Sequence, residues 1–216
     1  MRSKFDQQLA LLNEELTQMG ETCAKAIGLA AQALENQDAA TAAPVAELEE
    51  QTNEQERSIE ALCLKLLLQQ QPVARDLRQI SAALKMITDM ERIGDQADDI
   101  AEILLCRAGR PLSAGDTLRE MARATIRMVS ESVDAYVRQD VDLAQQVIAA
   151  DDEVDGYFDR IKAHLIDRIA KDVDDGEATL DLLMIAKYYE RIGDHATNIA
   201  EWVMFSVTGV HKTEAT

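Results

Sequence analysis

The sequence predicts an all-α protein made of two tandem, homologous, antiparallel three-helix bundles, and three observations carry that prediction. Aromatic residues are 4% of the chain, with Gly 9 and Pro 3, while Ala, Leu, Glu, Gln and Asp abound, a composition that favours helix over sheet. The stretch Glu91-Arg92-Ile93-Gly94-Asp95-Gln96-Ala97-Asp98-Asp99-Ile100-Ala101-Glu102 returns as Glu190-Arg191-Ile192-Gly193-Asp194-His195-Ala196-Thr197-Asn198-Ile199-Ala200-Glu201, identical at nine of twelve positions and displaced by 99 residues. Such self-similarity at about half the chain length marks a duplication. The one cluster of helix breakers, Gly109, Pro111 and Gly115, falls between the copies and places a boundary there, giving repeats over 1–109 and 110–216.

Each element follows from apolar spacing. Phe5, Leu9, Leu12, Leu16, Met19, Cys23, Ile27, Ala30, Ala31 and Leu34 recur at three- and four-residue steps, predicting a helix from Phe5 to Asn36. Gln37-Asp38 interrupts it. A second helix begins near Pro44, a residue suited to a first turn, and ends at Gln70 ahead of Gln71-Pro72. The third runs from Val73 to Arg107 through Leu77, Ile80, Leu84 and Ile87 into the repeated motif. The second half predicts helices over Asp116–Arg138, Val141–Lys171 and Glu177–Thr208, with a turn over Asp172–Gly176 and a frayed tail from His211. Short connections favour antiparallel neighbours.

Charge bounds the function. Lys+Arg 22 against Asp+Glu 40 gives −18, a field that repels phosphate backbones, so no direct nucleic-acid partner is expected. Cys23, Cys63 and Cys106 are odd in number, far apart and set in apolar segments, and read as packed, reduced thiols of a cytosolic protein. The start, Met1-Arg2-Ser3-Lys4-Phe5-Asp6, lacks a signal-peptide core, and no apolar run approaches the roughly 18 residues that cross a membrane. A cytoplasmic protein is expected, touching the inner membrane only through partners.

On a helical wheel Glu91, Asp95, Asp98, Asp99 and Glu102 share one face of the third helix, opposite Met90, Ile93, Ala97, Ile100 and Leu104. The sixth repeats this with Glu190, Asp194, Asn198 and Glu201. The second helices echo one another too: aligning Val45 with Val147 sets Glu49-Glu50 over Asp151-Asp152 and Asn53 over Asp155. Carboxylates at i,i+4 facing a second acidic helix suit hard or borderline cations such as Mg²⁺, Ca²⁺, Mn²⁺ or iron; zinc fits less well without a thiolate cluster. The candidate ligands are Glu91, Asp95, Asp99, Glu190, Asp194 and Asn198, with Glu50, Asp152 and Asp155 opposite them. Solvated faces of an acidic protein are the competing reading, and the in-phase duplication of Glu-x-x-x-Asp tilts against it.

Three other features of the motif have structural readings. Arg92 and Arg191 can pair with Asp95 and Asp194 at i+3, Gly94 and Gly193 suggest close approach of a neighbouring backbone, and His195 reads as a surface histidine. His164 and His211 have no visible partner. No Walker, G-x-S-x-G, HExxH or di-iron Glu-x-x-His pattern occurs, and no nucleophile has its base, so no enzyme is expected.

The residues Gln71-Pro72-Val73-Ala74-Arg75-Asp76-Leu77-Arg78, Leu84-Lys85-Met86, Asp89 to Ile100 and Tyr189 to Ile199 resemble the PhoU family of phosphate-signalling regulators, along nearly the whole chain. That resemblance implies two three-helix bundles, a homodimer, and metal clusters at Glu91/Asp95 and Glu190/Asp194, of iron, Mn, Mg or Zn. It also implies negative regulation of the phosphate-starvation response, as an adaptor between the cytoplasmic ATPase subunit of the phosphate ABC transporter and a sensor histidine kinase. The alternative is a metal storage or buffering protein, and a third reading is an acidic helical scaffold without metal. Two departures bear on the metal expectation: Asn53 stands opposite Asp155, and Asp98-Asp99 becomes Thr197-Asn198.

Overall fold

A computed structural model describes residues 2–70, 72–107, 109–110, 112–113, 115–171 and 176–210. Six helices carry the fold among them: α1 Arg2–Asn36, α2 Val45–Gln70, α3 Ala74–Cys106, α4 Asp116–Arg138, α5 Val141–Lys171 and α6 Gly176–Thr208. They match the predicted segments to within a turn at each end. Gln71, Pro111, most of the 172–176 turn and the tail from His211 lie outside the described residues.

One departure from the expected layout has a simple cause. The chain from Ala39 to Ala42 forms a short 3₁₀ turn before α2, whereas α5 starts directly at Val141. In the register that sets Val45 over Val147, Pro44 stands where the second half has Gln146. A proline there would clash with the preceding turn of a continuous helix, so the first half begins its second helix later. The preceding corners are otherwise alike. Gln37 and Gln139 both take left-handed backbone, with φ of 55° and 54°. Asp38 Oδ1 accepts from the Ala40 N–H at 3.1 Å and Asp140 Oδ1 from the Leu143 N–H at 3.0 Å, so each aspartate caps the turn that follows.

Each half packs its three helices on one another, and the halves join along α3 against α6 and α1 against α4. The α3–α6 seam is the most extensive helix pairing and runs antiparallel, with Arg78 facing the Ser206 carbonyl at one end and Arg107 facing Asp181 at the other. The core is continuous across it. Met90, Ile93, Ala97 and Ile100 of α3 and Tyr189, Ile192, Ala196 and Ile199 of α6 are fully buried members of one cluster that also holds Leu12, Leu16, Met19 and Met121.

Cys23 and Cys63 are buried as expected, and burial pushes both thiols up to about 12, where they stay protonated. Cys106 is exposed, against the expectation of a packed thiol. It is the last residue of α3, and its neighbours Leu104 and Arg107 take the buried positions instead.

Candidate functional site: two acidic helix faces

Gly94 and Gly193 set the distance between the acidic helices. A Cβ on Gly94 would lie 3.3 Å from Thr52 Cβ on α2, and one on Gly193 would lie 3.3 Å from Val154 Cγ1 and 3.4 Å from Asp151 Oδ1 on α5. The close neighbour is thus a side chain of the facing helix, where a backbone was expected. Thr52 and Val154 occupy matching places in the duplicated register, so the two halves share one geometry here.

That contact fixes which acids meet. In the first half Glu91 and Asp98 of α3 face Glu49 of α2, with Asp95 between them and Glu56 beside Glu91. Desolvation and then these like charges raise both carboxyls above their ordinary range. Asn53 Nδ2 donates to Glu49 Oε1, a neutral donor within this group. In the second half Asp151 of α5 meets Asp194 of α6, and Asp155 meets Glu190 and Asp194, with Asp152 exposed beside them on α5. Burial, then Asp155 and Asp194, lift Asp151 from 3.8 to about 6, with the Thr197 hydroxyl offsetting part of the rise. Asp155 and Asp194 rise for the same reasons. Lys187 pairs with Glu190 and moderates the cluster.

Of the predicted ligands, the structure brings together Glu91 with Asp95, and Asp155 with Glu190 and Asp194. Four stand elsewhere. Asp152 is exposed on α5, as Glu50 is at the matching place. Glu50 is exposed on α2, and Glu49, one position earlier, faces α3 in its place. Asp99 turns towards α6: its neighbours are Glu102, Asp95 and Arg191. Asn198 donates to Asp89 Oδ1 at 3.2 Å across the α3–α6 seam. The sequence placed Glu49, Asp98 and Asp151 on the acidic faces without singling them out as ligands, and it left Glu56 unmarked. The signal for two of them was present, since Glu49 and Asp151 precede Thr52 and Val154 by three residues, one helical turn from the glycine contact.

Two structural expectations for the motif change. His195 is buried, not a surface residue, and its Nδ1 lies 2.9 Å from Asp89 Oδ1 on α3, because this flank of α6 is covered by the seam. Neither Arg92 nor Arg191 makes the i+3 ion pair among the described residues; Arg191 acts across the seam on Asp99 and, along its own helix, on Tyr188.

The donor sets fit a hard cation. Their oxygens are carboxylates held at mutual repulsion. Among the described residues no three His, Cys, Asp or Glu side chains already converge as a closed cage. Repulsion itself spreads unliganded carboxylates, so an ion would draw them inward.

A duplicated six-helix bundle with a pair of acidic helix faces in each half is a helical scaffold with surfaces suited to binding. Two stretches, residues 16–104 and 118–203, match the PhoU domain, and the chain belongs to the PhoU family. It is 34% identical over 212 residues to a phosphate-specific transport system accessory protein PhoU homolog of Clostridium acetobutylicum, covering 96% of each chain. A homolog of the same description from Pseudomonas aeruginosa is 35% identical over 208 residues, covering 95% of this chain and 86% of that one. The crystal structure of PhoU from Pseudomonas aeruginosa superposes with a TM-score of 0.90 at 33% identity, covering 95% of this chain and all of that one. The family consists of regulatory accessory proteins and not enzymes. No described helix is long and apolar enough to cross a membrane.

Proposed function

We propose that this protein is a cytoplasmic, homodimeric negative regulator of the phosphate-starvation response. In this reading it links the ATPase subunit of the phosphate ABC transporter to a sensor histidine kinase. Membership of a family of phosphate-transport accessory proteins supports a regulatory role in phosphate transport and association with that system. The observation that carries the finer reading is the pair of acidic clefts, kept in both halves around Gly94 and Gly193. Like charges gathered at this density are costly without a counter-charge, which an adaptor obtains from bound cations or from a basic partner surface.

Divalent or trivalent ions, iron, Mn, Mg or Zn, would be held by Glu91, Asp95, Asp98 and Glu49 in the first half. In the second the holders are Asp151, Asp152, Asp155, Glu190 and Asp194. A bound ion supplies charge neutralisation between two helices and no chemistry. The two clefts differ: Asn53, a neutral amide, hydrogen-bonds Glu49 in the first, while Asp155 at that place adds a carboxylate to the second.

Affinity capture tests the reading directly. The full chain is expected to retain the transporter ATPase and the kinase's cytoplasmic region. Failure to bind either, with and without metal and at high and low phosphate, would overturn the adaptor role. Replacing Asp95→Asn together with Asp194→Asn is expected to remove metal and derepress the starvation response. Loss of metal with regulation intact would instead favour metal storage as a separate activity.

A further inference from the structure

The chain carries a large negative charge, yet one cavity is walled by cations. It is about 270 Å³ and lies between the start of α4 and the distal half of α5. Arg160, His164 and Arg168 stand at i, i+4 and i+8 on α5 and all line it, with Ser113 and Thr117 supplying hydroxyls from the other wall. No carboxylate lines it among the described residues. Neither Arg168 nor His164 forms an ion pair among the described residues, and the Arg160 guanidinium sits 4.6 Å from the Tyr157 ring centre without an acid partner. The floor is apolar, made by Leu118, Ile161, Leu165 and Leu182, all buried.

The duplication shows that this arrangement is particular to the second half. In the register that sets Val45 over Val147, Ile161 and Leu165 match Ile59 and Cys63, and all four are buried. Arg160, His164 and Arg168 match Ser58, Leu62 and Leu66, of which Leu66 is fully buried. Three positions that are small or apolar in one copy are thus cationic in the other. The covering helix differs as well. Matching the corner residues Gln37 and Gln139 leaves α1 extending about three turns beyond the start of α4. In the first half that extension places Phe5, Leu9 and Leu12 against the core, and in the second half the corresponding space is the cavity. The start of α4 faces it with its N-cap, Gly115, which offers no side-chain cap, so backbone N–H groups of the first turn add to the positive potential. Asp116 in that turn is exposed and paired with Arg119, outside the lining.

From these observations we propose that the α4–α5 cavity is a binding site for a small phosphate-bearing anion. Arg160, Arg168 and His164 hold the phosphate group, and Ser113 and Thr117 donate hydroxyl hydrogen bonds. Arginines with hydroxyls and open N–H groups suit a tetrahedral oxyanion, since guanidinium forks match its edges. The apolar floor and a volume near the roughly 300 Å³ of small organic-ligand sites leave room for a carbon body beside the head group. The site is separate from the acidic clefts, and the proposal does not depend on the adaptor reading.

Calorimetric titration of the full chain in EDTA, with inorganic phosphate in one arm and AMP in the other, tests it. The chelator removes metal-bridged binding to the acidic clefts. Binding in either arm is expected, tighter for AMP if the apolar floor is used and equal if only the phosphate is held. Arg160→Gln with Arg168→Gln, both on exposed positions, is expected to weaken it about tenfold or more. Arg127→Gln on the surface of α4 should leave it unchanged. Absence of binding in both arms at millimolar ligand overturns the proposal. So does binding that the double variant leaves intact while its helical circular dichroism is unaltered.

Discussion

Asp151 shows at the residue scale what the acidic clefts cost when empty. Its carboxyl is lifted to about 6 in the folded protein against an ordinary 3.8, by burial first and by Asp155 and Asp194 next. The native state therefore holds this proton at pH values where the unfolded chain has released it, so the group's favourable contribution is complete below about pH 4 and is lost as pH rises through 6. Glu91, Asp98, Asp155 and Asp194 shift in the same direction. Metal-free protein is thus expected to melt at a higher temperature at pH 5 than at pH 7, and Asp151→Asn should flatten the difference. Scanning calorimetry in EDTA checks this, and a profile rising towards pH 7 would contradict it. Mn²⁺ or Mg²⁺ at pH 7 should restore stability as it binds the native state. The acids themselves were legible in sequence, because Glu-x-x-x-Asp recurs in phase. Which oxygens meet was not: a wheel places Glu49 and Glu50 only one step apart, and packing of Thr52 on Gly94 chooses Glu49. The Asp89–His195 contact was hidden for the same reason, since its partners lie on different helices more than a hundred residues apart.

Helix against helix, the tightest glycine contact among the described residues is α1 on α4, where a Cβ added at Gly20 would lie 2.9 Å from Val133 Cγ2. Val133 is buried and β-branched, with little freedom to yield. Gly20→Ala gains about 1 kcal/mol of helix propensity, but overpacking of a filled contact costs about 1–3 kcal/mol. A net loss of stability by urea denaturation is expected, and a stabilised variant would show that the halves can slide apart here. The seam between α3 and α6 is tied by polar contacts as well. Asp89→Ala leaves the buried His195 and the Asn198 amide without their shared acceptor. Its expected cost is about 1–3 kcal/mol, checked by the same denaturation series; an unchanged midpoint would mean that both side chains find other partners. Helix positions were readable from apolar spacing alone, to within a turn, because every helix buries one continuous stripe. The pairing of α1 with α4 was not, since Gly20 signals close approach without naming the neighbour.

Whole-molecule cooperativity follows from that seam. Each half holds a complete three-helix repeat, yet α3 buries Met90, Ile93, Ala97 and Ile100 in the same cluster as Tyr189, Ile192 and Ala196 of α6. Arg107, 4% exposed at the end of α3, reaches Asp181 at 2.9 Å and Glu177 at 3.6 Å at the start of α6, so the boundary itself is pinned. Removing one half would uncover most of the other's third helix, and a two-state transition is expected for the chain as one unit. Trp202, the single tryptophan, sits on α6 edge-on to Phe205 with ring centres 5.7 Å apart, and its fluorescence reports on α6. Far-ultraviolet circular dichroism reports on both halves. The two urea curves should coincide, and Arg107→Ala should move them together by about 2 kcal/mol, the worth of a charged hydrogen bond with one buried partner. Fluorescence and dichroism midpoints that separate, with the fluorescence transition untouched by changes in α1, would mean that residues 1–109 and 110–216 fold independently.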